Sequence, residues 1–166
     1  MWLDADSALR HIDRLHAAAR AICGSSADAD DLVQDVFVTL LRRPRRLRRG
    51  SELAYLMTML RNASIDQHRA SARRQTLPLH EAEEPEDPRS ELRPDRALAQ
   101  REVLDAVGAL PSPFHETVVA VDVLGLSYKE AAGSLGVPAG TVMSRLARGR
   151  ARVMAALDPI PEGAPG

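Results

Sequence analysis

The side chains best suited to reading DNA lie on the last helix that the sequence predicts. Four of them recur at i, i+3, i+4 and i+7 and so share one helical face: Thr141, Ser144, Arg145 and Arg148. Arginine can read guanine edges in a major groove, and serine or threonine can contact phosphates. Because Gly136 ends the helix before it, the segment is typical of a helix-turn-helix. The alternative is an ordinary helical hairpin with a solvated basic face.

A second basic segment spans residues 42–49 and contains six arginines in eight residues. The helix that follows carries further polar and basic side chains: Arg61, Asn62, His68, Arg69, Arg73 and Arg74. A solvated loop would account for the loop charge alone, but the basic helix after it favours a grip on phosphates. Tyr55 and Asn62 are suited to stacking on an unpaired base, or to hydrogen bonding with it.

An acidic segment, residues 28–37, reads Asp-Ala-Asp-Asp-Leu-Val-Gln-Asp-Val-Phe. We expect Asp28 to cap the helix that starts here, because early acids suit its positive end. Asp31 and Asp35 are one turn apart and share a face. The face is either a solvated acidic surface or a docking surface for a basic partner. A metal site fits poorly, because the nearest histidines lie on a different predicted helix.

The formal net charge of −1 is an average over unlike segments. Residues 1–41 carry −4, residues 42–74 carry +8, residues 75–96 carry −4 and residues 128–157 carry +4. Two basic blocks are therefore separated by acidic ones, a pattern that overall neutrality hides.

Several function classes are not expected. The single cysteine, Cys23, excludes an internal disulfide and fits a reducing cytoplasm. No apolar run approaches the ~18 residues of a membrane helix, and the N-terminus lacks signal-peptide features, so we expect a cytoplasmic protein without membrane insertion. The sequence offers no nucleophile paired with a base, no phosphate-binding loop and no clustered metal ligands. We therefore expect no enzyme activity, cofactor or metal.

Apolar residues at helical spacing predict the elements that position these side chains. In the first part, stripes run from Leu9 to Ile22 and from Leu32 to Leu41, and a third runs from Leu53 to about Arg74. In the second part we expect a helix over 98–107, one capped at Ser112-Pro113 and closed by Gly125, one opened by a Ser127–Glu130 capping box, and one from Pro138 to Leu157.

The predicted fold is all-α. Two small helical bundles, residues 1–74 and 97–157, are joined by an extended, acidic, Pro-rich linker over 75–96, and residues 158–166 form a disordered tail. The second bundle contains the helix-turn-helix.

Taken in order, these motifs resemble the extracytoplasmic-function (ECF, group IV) sigma factors of bacterial RNA polymerase. The resemblance rests on residues 28–37, Tyr55-Leu56, 61–66 with Arg69, Leu110-Pro111, 125–132 and 140–146. It implies that residues 1–74 are sigma region 2, which binds the β′ coiled coil of core polymerase and melts and reads the −10 element. Residues 97–157 would be region 4, which sits on the β flap and reads the −35 element. Members are commonly held inactive by an anti-sigma factor.

The resemblance also implies roles for individual residues. The −10 contacts would be Tyr55, Arg61, Asn62, Arg69, Arg73 and Arg74, with Arg45, Arg46, Arg48 and Arg49 of the loop. The −35 contacts would be Thr141, Ser144, Arg145, Arg148 and Arg150, and the core-docking residues Asp31, Gln34 and Asp35.

Two other function classes remain open at this point. A sigma-like decoy would bind an anti-sigma factor without touching DNA, but it would not need +8 in residues 42–74. A stand-alone helix-turn-helix regulator would bind duplex DNA without polymerase and would not need a second basic block. Transcription in vitro with purified core polymerase separates all three.

Overall fold

The computed structural model describes residues 2–48, 50–74 and 94–158. Within these ranges the chain is almost wholly helical, as predicted. The elements in chain order are β1 (Trp2–Leu3), α1 (Ala5–Leu9), α2 (Ile12–Cys23), α3 (Ser26–Arg42), β2 (Arg45–Arg46), α4 (Glu52–Arg74), α5 (Pro94–Gly108), α6 (Ser112–Val118), a π turn (Val119–Val123), α7 (Tyr128–Leu135) and α8 (Ala139–Leu157). Residues 75–93 of the linker predicted over 75–96, and residues 159–166 of the tail predicted over 158–166, lie outside the described residues. Residues 94–96, which were assigned to the linker, instead form the start of α5.

The first bundle consists of α1 to α4 around an aliphatic core. Its largest fully buried side chains include Leu15, Leu32, Leu40, Leu56 and Leu60. Gly24 ends α2 in the left-handed conformation at φ 76°, which glycine adopts without strain. The periodicity of the sequence therefore predicted the core faces of α2, α3 and α4 correctly.

The expectations for Leu9 and Asp28 were wrong. Leu9 does not belong to the α2 stripe: it ends a separate short helix, α1, which has its own capping box, and its side chain is 53% exposed. Asp28 does not cap α3. Ser25 is the cap, and its hydroxyl accepts from the Asp28 backbone N–H at 3.1 Å and donates to the Asp28 carboxylate at 2.8 Å. A serine three residues before an acid is therefore the stronger cap signal here.

The second bundle consists of α5 to α8. The Ser127–Glu130 capping box is present, and Gly136 closes α7 at φ 68°. Pro138 precedes α8, as expected. At α6 the expectation was wrong: Pro111 is the N-cap, so Ser112 is the first helical residue and its side chain makes no cap. The helix then widens into the π turn before Gly125.

The two bundles pack against each other: α2 contacts α5 and the π turn, and α4 contacts α7. Polar contacts between described residues cross the interface. Arg61 Nε donates to Glu116 Oε1 at 3.0 Å, the Thr58 and Ser134 hydroxyls lie 3.2 Å apart, and His115 Nε2 lies 2.8 Å from the Ala21 carbonyl oxygen. This packing of the two bundles was not predicted from the sequence.

None of the helices in the described ranges combines the length and the apolar character needed to cross a membrane.

Candidate nucleic-acid interface

The first basic surface is a stripe along α4. Tyr55, Asn62 and Arg69 are spaced by seven residues, so they follow one another along the same side of the helix. At 1.5 Å per residue, the stripe is about 21 Å long. Asn62 and Arg69 are exposed, and Tyr55 is half-buried at the first turn. The stripe can therefore present one aromatic, one amide and one cationic side chain to a strand of nucleic acid.

The arginine loop lies beside the start of this stripe. Arg45, Arg46 and Arg48 are exposed, and the guanidinium carbon of Arg45 is 5.8 Å from the centre of the Tyr55 ring. The Arg48 carbonyl accepts from the Ser51 hydroxyl at 2.7 Å, which connects the loop to the start of α4. The structure therefore brings loop arginines and Tyr55 together. Arg49 and the side chains of Arg73 and Arg74, also expected to contact DNA, lie outside what the structure describes.

Arg61 differs from its neighbours on α4. It is half-buried, and its side chain pairs with Glu116 of α6. Thr58, one turn earlier, contacts Ser134 of α7. One side of α4 therefore faces the second bundle. In this arrangement Arg61 pairs with the second bundle and does not belong to the basic surface.

The second basic surface lies on α8. Val142 and Leu146 are buried, as expected, so the opposite side of the helix is directed outward. Ser144 and Arg148 are exposed on that side, and Thr141 and Arg145 are half-buried at its edge. The Ser144 hydroxyl donates to the Thr141 carbonyl at 3.1 Å. Met143, 54% exposed, lies on the side of α8 that also carries Arg150, seven residues later.

Arg150 does not join this surface. At 100° per residue it lies about 200° round α8 from Arg148. Its side chain donates from Nε to Asp122 Oδ2 at 2.9 Å and from Nη2 to the other carboxylate oxygen. This hydrogen-bonded pair raises the pKa of the Arg150 guanidinium. Through this pair, Arg150 holds α8 against the π turn.

Gly149 explains how α8 lies so close to α6. It is buried, and a Cβ added there would be 2.6 Å from the Val118 Cγ2 methyl carbon. Nearby, the guanidinium carbon of Arg152 stacks 4.2 Å from the centre of the Phe114 ring. Because Gly149 allows this close approach of α8 to α6, it also determines where the outward face with Arg148 lies. The role of Gly149 was not predicted, because a glycine within a helix does not indicate which residue of another helix packs against it.

The acidic face of α3 is exposed at all three expected positions, Asp31, Gln34 and Asp35. The opposite side packs into the core through Val33, Val36 and Leu40, which agrees with the predicted orientation. Two apolar side chains continue the exposed face, Val38 at 36% and Leu41 at 72% exposure. Leu41 was predicted to belong to the buried stripe of α3, and this was wrong. An acidic surface that continues into exposed aliphatic side chains is suited to a protein partner.

Two reactive side chains outside these surfaces, Cys23 and His16, lie in the first bundle. Burial raises the pKa of the Cys23 thiol to about 11, with a smaller contribution from the Asp28 carboxylate, so the thiol is protonated at neutral pH. His16 Nδ1 lies 3.2 Å from Asp30 Oδ1 and joins α2 to α3. Across the described ranges, no three His, Cys, Asp or Glu side chains are grouped so that they could hold a metal ion.

Each of the two bundles matches a known protein family. The family model of Sigma-70 region 2 matches residues 8–74, and the family model of Sigma-70, region 4 matches residues 100–153. These ranges contain the arginine loop with the α4 stripe and the helix-turn-helix, respectively.

Individual relatives agree with this. The chain is 33% identical over 144 residues to the ECF RNA polymerase sigma factor SigE of Mycolicibacterium smegmatis, a match that covers 85% of this chain and 56% of SigE. It is 35% identical over 145 residues to the ECF RNA polymerase sigma factor SigM of Mycobacterium tuberculosis, covering 87% of this chain and 71% of SigM. The chain thus spans little more than half the length of SigE.

A solved structure is similar over both bundles. It is the sigma factor RpoE in complex with the anti-sigma factor NepR from Bartonella quintana, at a TM-score of 0.71 and 25% identity. The likeness covers 92% of this chain and 94% of that one.

Proposed function

This chain belongs to the ECF sigma factors of RNA polymerase, and from that premise we propose that it binds core polymerase and directs transcription initiation at promoters with −35 and −10 elements. One observation carries the proposal. A single chain presents an acidic face on α3 and two separate basic surfaces, one on α4 with its loop and one on α8. A stand-alone regulator needs only one of the three.

The α3 face is the proposed contact with the β′ coiled coil. Asp31, Gln34 and Asp35 would supply charge-assisted contacts to basic residues, and Val38 and Leu41 would add apolar area beside them. Because all five side chains are exposed on a helix whose other side is buried, a partner can cover them without disturbing the core.

The α4 stripe and arginine loop are the proposed −10 surface. Tyr55 would stack on an unpaired base, Asn62 would hydrogen-bond to one, and Arg69 with Arg45 and Arg48 would contact phosphates. Arg61 would join them once it is released from Glu116. We assign Arg73, Arg74 and Arg49 to the same surface on the resemblance.

The outward side of α8 is the proposed −35 surface. Ser144 and Arg148 point away from the core, with Thr141 and Arg145 at the edge, which is the arrangement of a helix that enters a major groove. Region 4 would also contact the β flap. Arg150 is left out of this set because Asp122 holds it on another side of the helix.

The packed bundles favour regulation by an anti-sigma factor. The RpoE structure is that of a sigma factor bound to its anti-sigma factor, and the likeness extends over both bundles of this chain. In the packed arrangement Arg61 is engaged by Glu116 and is not free to contact DNA. We propose that an anti-sigma partner holds this closed form and that core polymerase selects an open one.

The docking assignment is tested by the double variant Asp31→Ala, Asp35→Ala. Both acids are exposed and have no hydrogen bond across the bundle, so the melting temperature should change little. Affinity for purified core polymerase should fall, because charge-assisted contacts are lost.

The matched control is Asp6→Ala, Asp13→Ala, which removes the same charge from exposed positions on α1 and α2. Equal loss of core binding in both variants would indicate a general charge effect. Normal core binding by the Asp31, Asp35 variant would contradict the assignment.

A further inference from the structure

A short β-ribbon joins the N-terminus to the arginine loop. Trp2 and Leu3 pair antiparallel with Arg45 and Arg46, with Trp2 opposite Arg46 and Leu3 opposite Arg45. Sequence analysis predicted no strand here, because a two-residue strand carries no pattern. The ribbon fixes one side of the loop to the folded bundle.

The two sides of this ribbon differ. Residues that face each other across an antiparallel pair lie on the same side, and successive residues lie on opposite sides. Leu3 is fully buried, so its side of the ribbon faces the core, and Arg45 on that side lies near the Tyr55 ring. Trp2 and Arg46 therefore share the outer side, where Trp2 is 59% exposed.

An exposed tryptophan beside an arginine matches the chemistry of unpaired nucleic acid. Single-stranded DNA is bound by aromatic rings that stack on bases and by cations that contact the backbone. Arg46 pairs with Trp2 across the ribbon, and Arg42, Arg43 and Arg48 of the same segment are also exposed. This segment therefore carries the positive charge that attracts an anionic strand of DNA. An exposed aliphatic patch for a protein partner would lack this concentration of positive charge.

We propose that Trp2 and Arg46 form a second contact for single-stranded promoter DNA, on the outer side of the arginine loop, with Trp2 stacked on an unpaired base and Arg46 on the adjoining phosphate. The proposal rests on the proposed function, since it assigns the patch to the same melted strand. It differs from the Tyr55, Asn62 and Arg69 stripe, because Tyr55 lies near Arg45, on the inner side of the ribbon, and Trp2 lies on the outer side. The patch is open while the two bundles are packed, so the free chain can bind through it.

Trp2 is the single tryptophan of the chain, so its fluorescence reports on this patch alone. The free full-length protein is titrated at low salt with a 12-nucleotide single strand and with the matching duplex, and binding is followed in parallel by anisotropy of a labelled strand. We expect the single strand to quench the emission with the same midpoint as the anisotropy, and the duplex to quench it far less.

Variants separate the ring from its surroundings. Trp2→Ala should weaken single-strand binding about fivefold or more, the loss of one stacked base, and Trp2→Phe should restore most of it. Arg46→Gln should weaken binding and reduce its salt dependence. Leu9→Ala, which removes another exposed apolar side chain of the first bundle, is the control and should bind normally. Unchanged melting temperatures show that each variant is folded.

Three results would overturn the proposal: no binding of the single strand by the free chain, binding without quenching and without loss in Trp2→Ala, or equal quenching by duplex. Each is compatible with normal transcription by wild-type protein and core polymerase, so the proposed function is judged separately. If transcription fails although Trp2 binds single strands as described, the proposed function is wrong and the contact remains.

Discussion

The ion pair between Arg61 and Glu116 holds an arginine that we assign to the −10 surface against the second bundle, and Glu116→Gln tests its effect. The substitution keeps the size of the side chain and removes its charge. The two side chains are 35% and 25% exposed, so the pair is only partly shielded from water. Such a pair contributes about 0.5–1 kcal/mol, near the upper end for pairs in contact with solvent.

That free energy sets the size of the expected effect. A loss of about 0.5–1 kcal/mol lowers the closed-to-open ratio by a factor of roughly 2–5. When the closed form predominates, apparent affinity for a ligand of the open form rises by the same factor. Glu116→Gln should therefore bind a −10 single strand more tightly than wild type, by a factor of up to about 5, as measured by anisotropy of the free chain. The gain stays below the full factor to the extent that the strand also binds the closed form through the Trp2 patch.

Two controls isolate the ion pair. Glu102→Gln makes the same change of charge at an exposed position on α5 and should have a smaller effect. In an Arg61→Ala background, Glu116→Gln should give little gain, because there is no arginine to release. Equal gains in the Glu102 and Glu116 variants, or no gain in the latter, would refute the view that the ion pair masks Arg61.

Two further predictions concern the second bundle. Arg148→Ala should weaken −35-dependent transcription by about 1–3 kcal/mol, which is the value of one base contact, and it should leave core binding unchanged. An equal loss on promoters with a scrambled −35 element would contradict the view that Arg148 reads a base. Gly149→Ala should lower the free energy of unfolding by about 1–3 kcal/mol, because its Cβ would lie 2.6 Å from Val118 Cγ2. Gly133→Ala on α7, where a Cβ meets nothing within 4 Å, should instead raise it by about 0.5–1 kcal/mol, and urea denaturation distinguishes the two signs.

The fold was largely predictable because its signals are local. The buried side of α3 follows from the spacing of Val33, Val36 and Leu40, which needs only the period of a helix. The capping box at Ser127 and Glu130 and the left-handed Gly136 are similarly encoded within a few residues. The exposed Asn62 and Arg148 could be identified for the same reason: each lies opposite a buried stripe on its own helix.

The errors occurred where neighbouring residues compete for one local role. Ser25 and Asp28 are both good caps, and the chain uses the serine as cap with the acid as its hydrogen-bond partner. Pro111 takes the cap position that Ser112 was expected to fill. Such competition depends on backbone angles that a residue type does not determine.

Contacts between distant segments could not be predicted at all. Arg61 and Glu116 are 55 positions apart, and each alone is a typical exposed charged residue of a helix. Arg150 was assigned to the −35 contacts with Arg148 on the resemblance, but Asp122 holds Arg150 on another side of α8. Trp2 showed no chemical role until the ribbon placed it beside the arginine loop.

Run-off transcription with purified core polymerase tests the central claim most directly. Templates carry a promoter selected by the holoenzyme from a random library, alongside versions with the −35 or the −10 element scrambled. We predict transcripts of defined length only when both this chain and core are present, and loss of them when either element is scrambled. Specific duplex binding by the chain alone, with no core-dependent transcript from any selected template, would contradict the account.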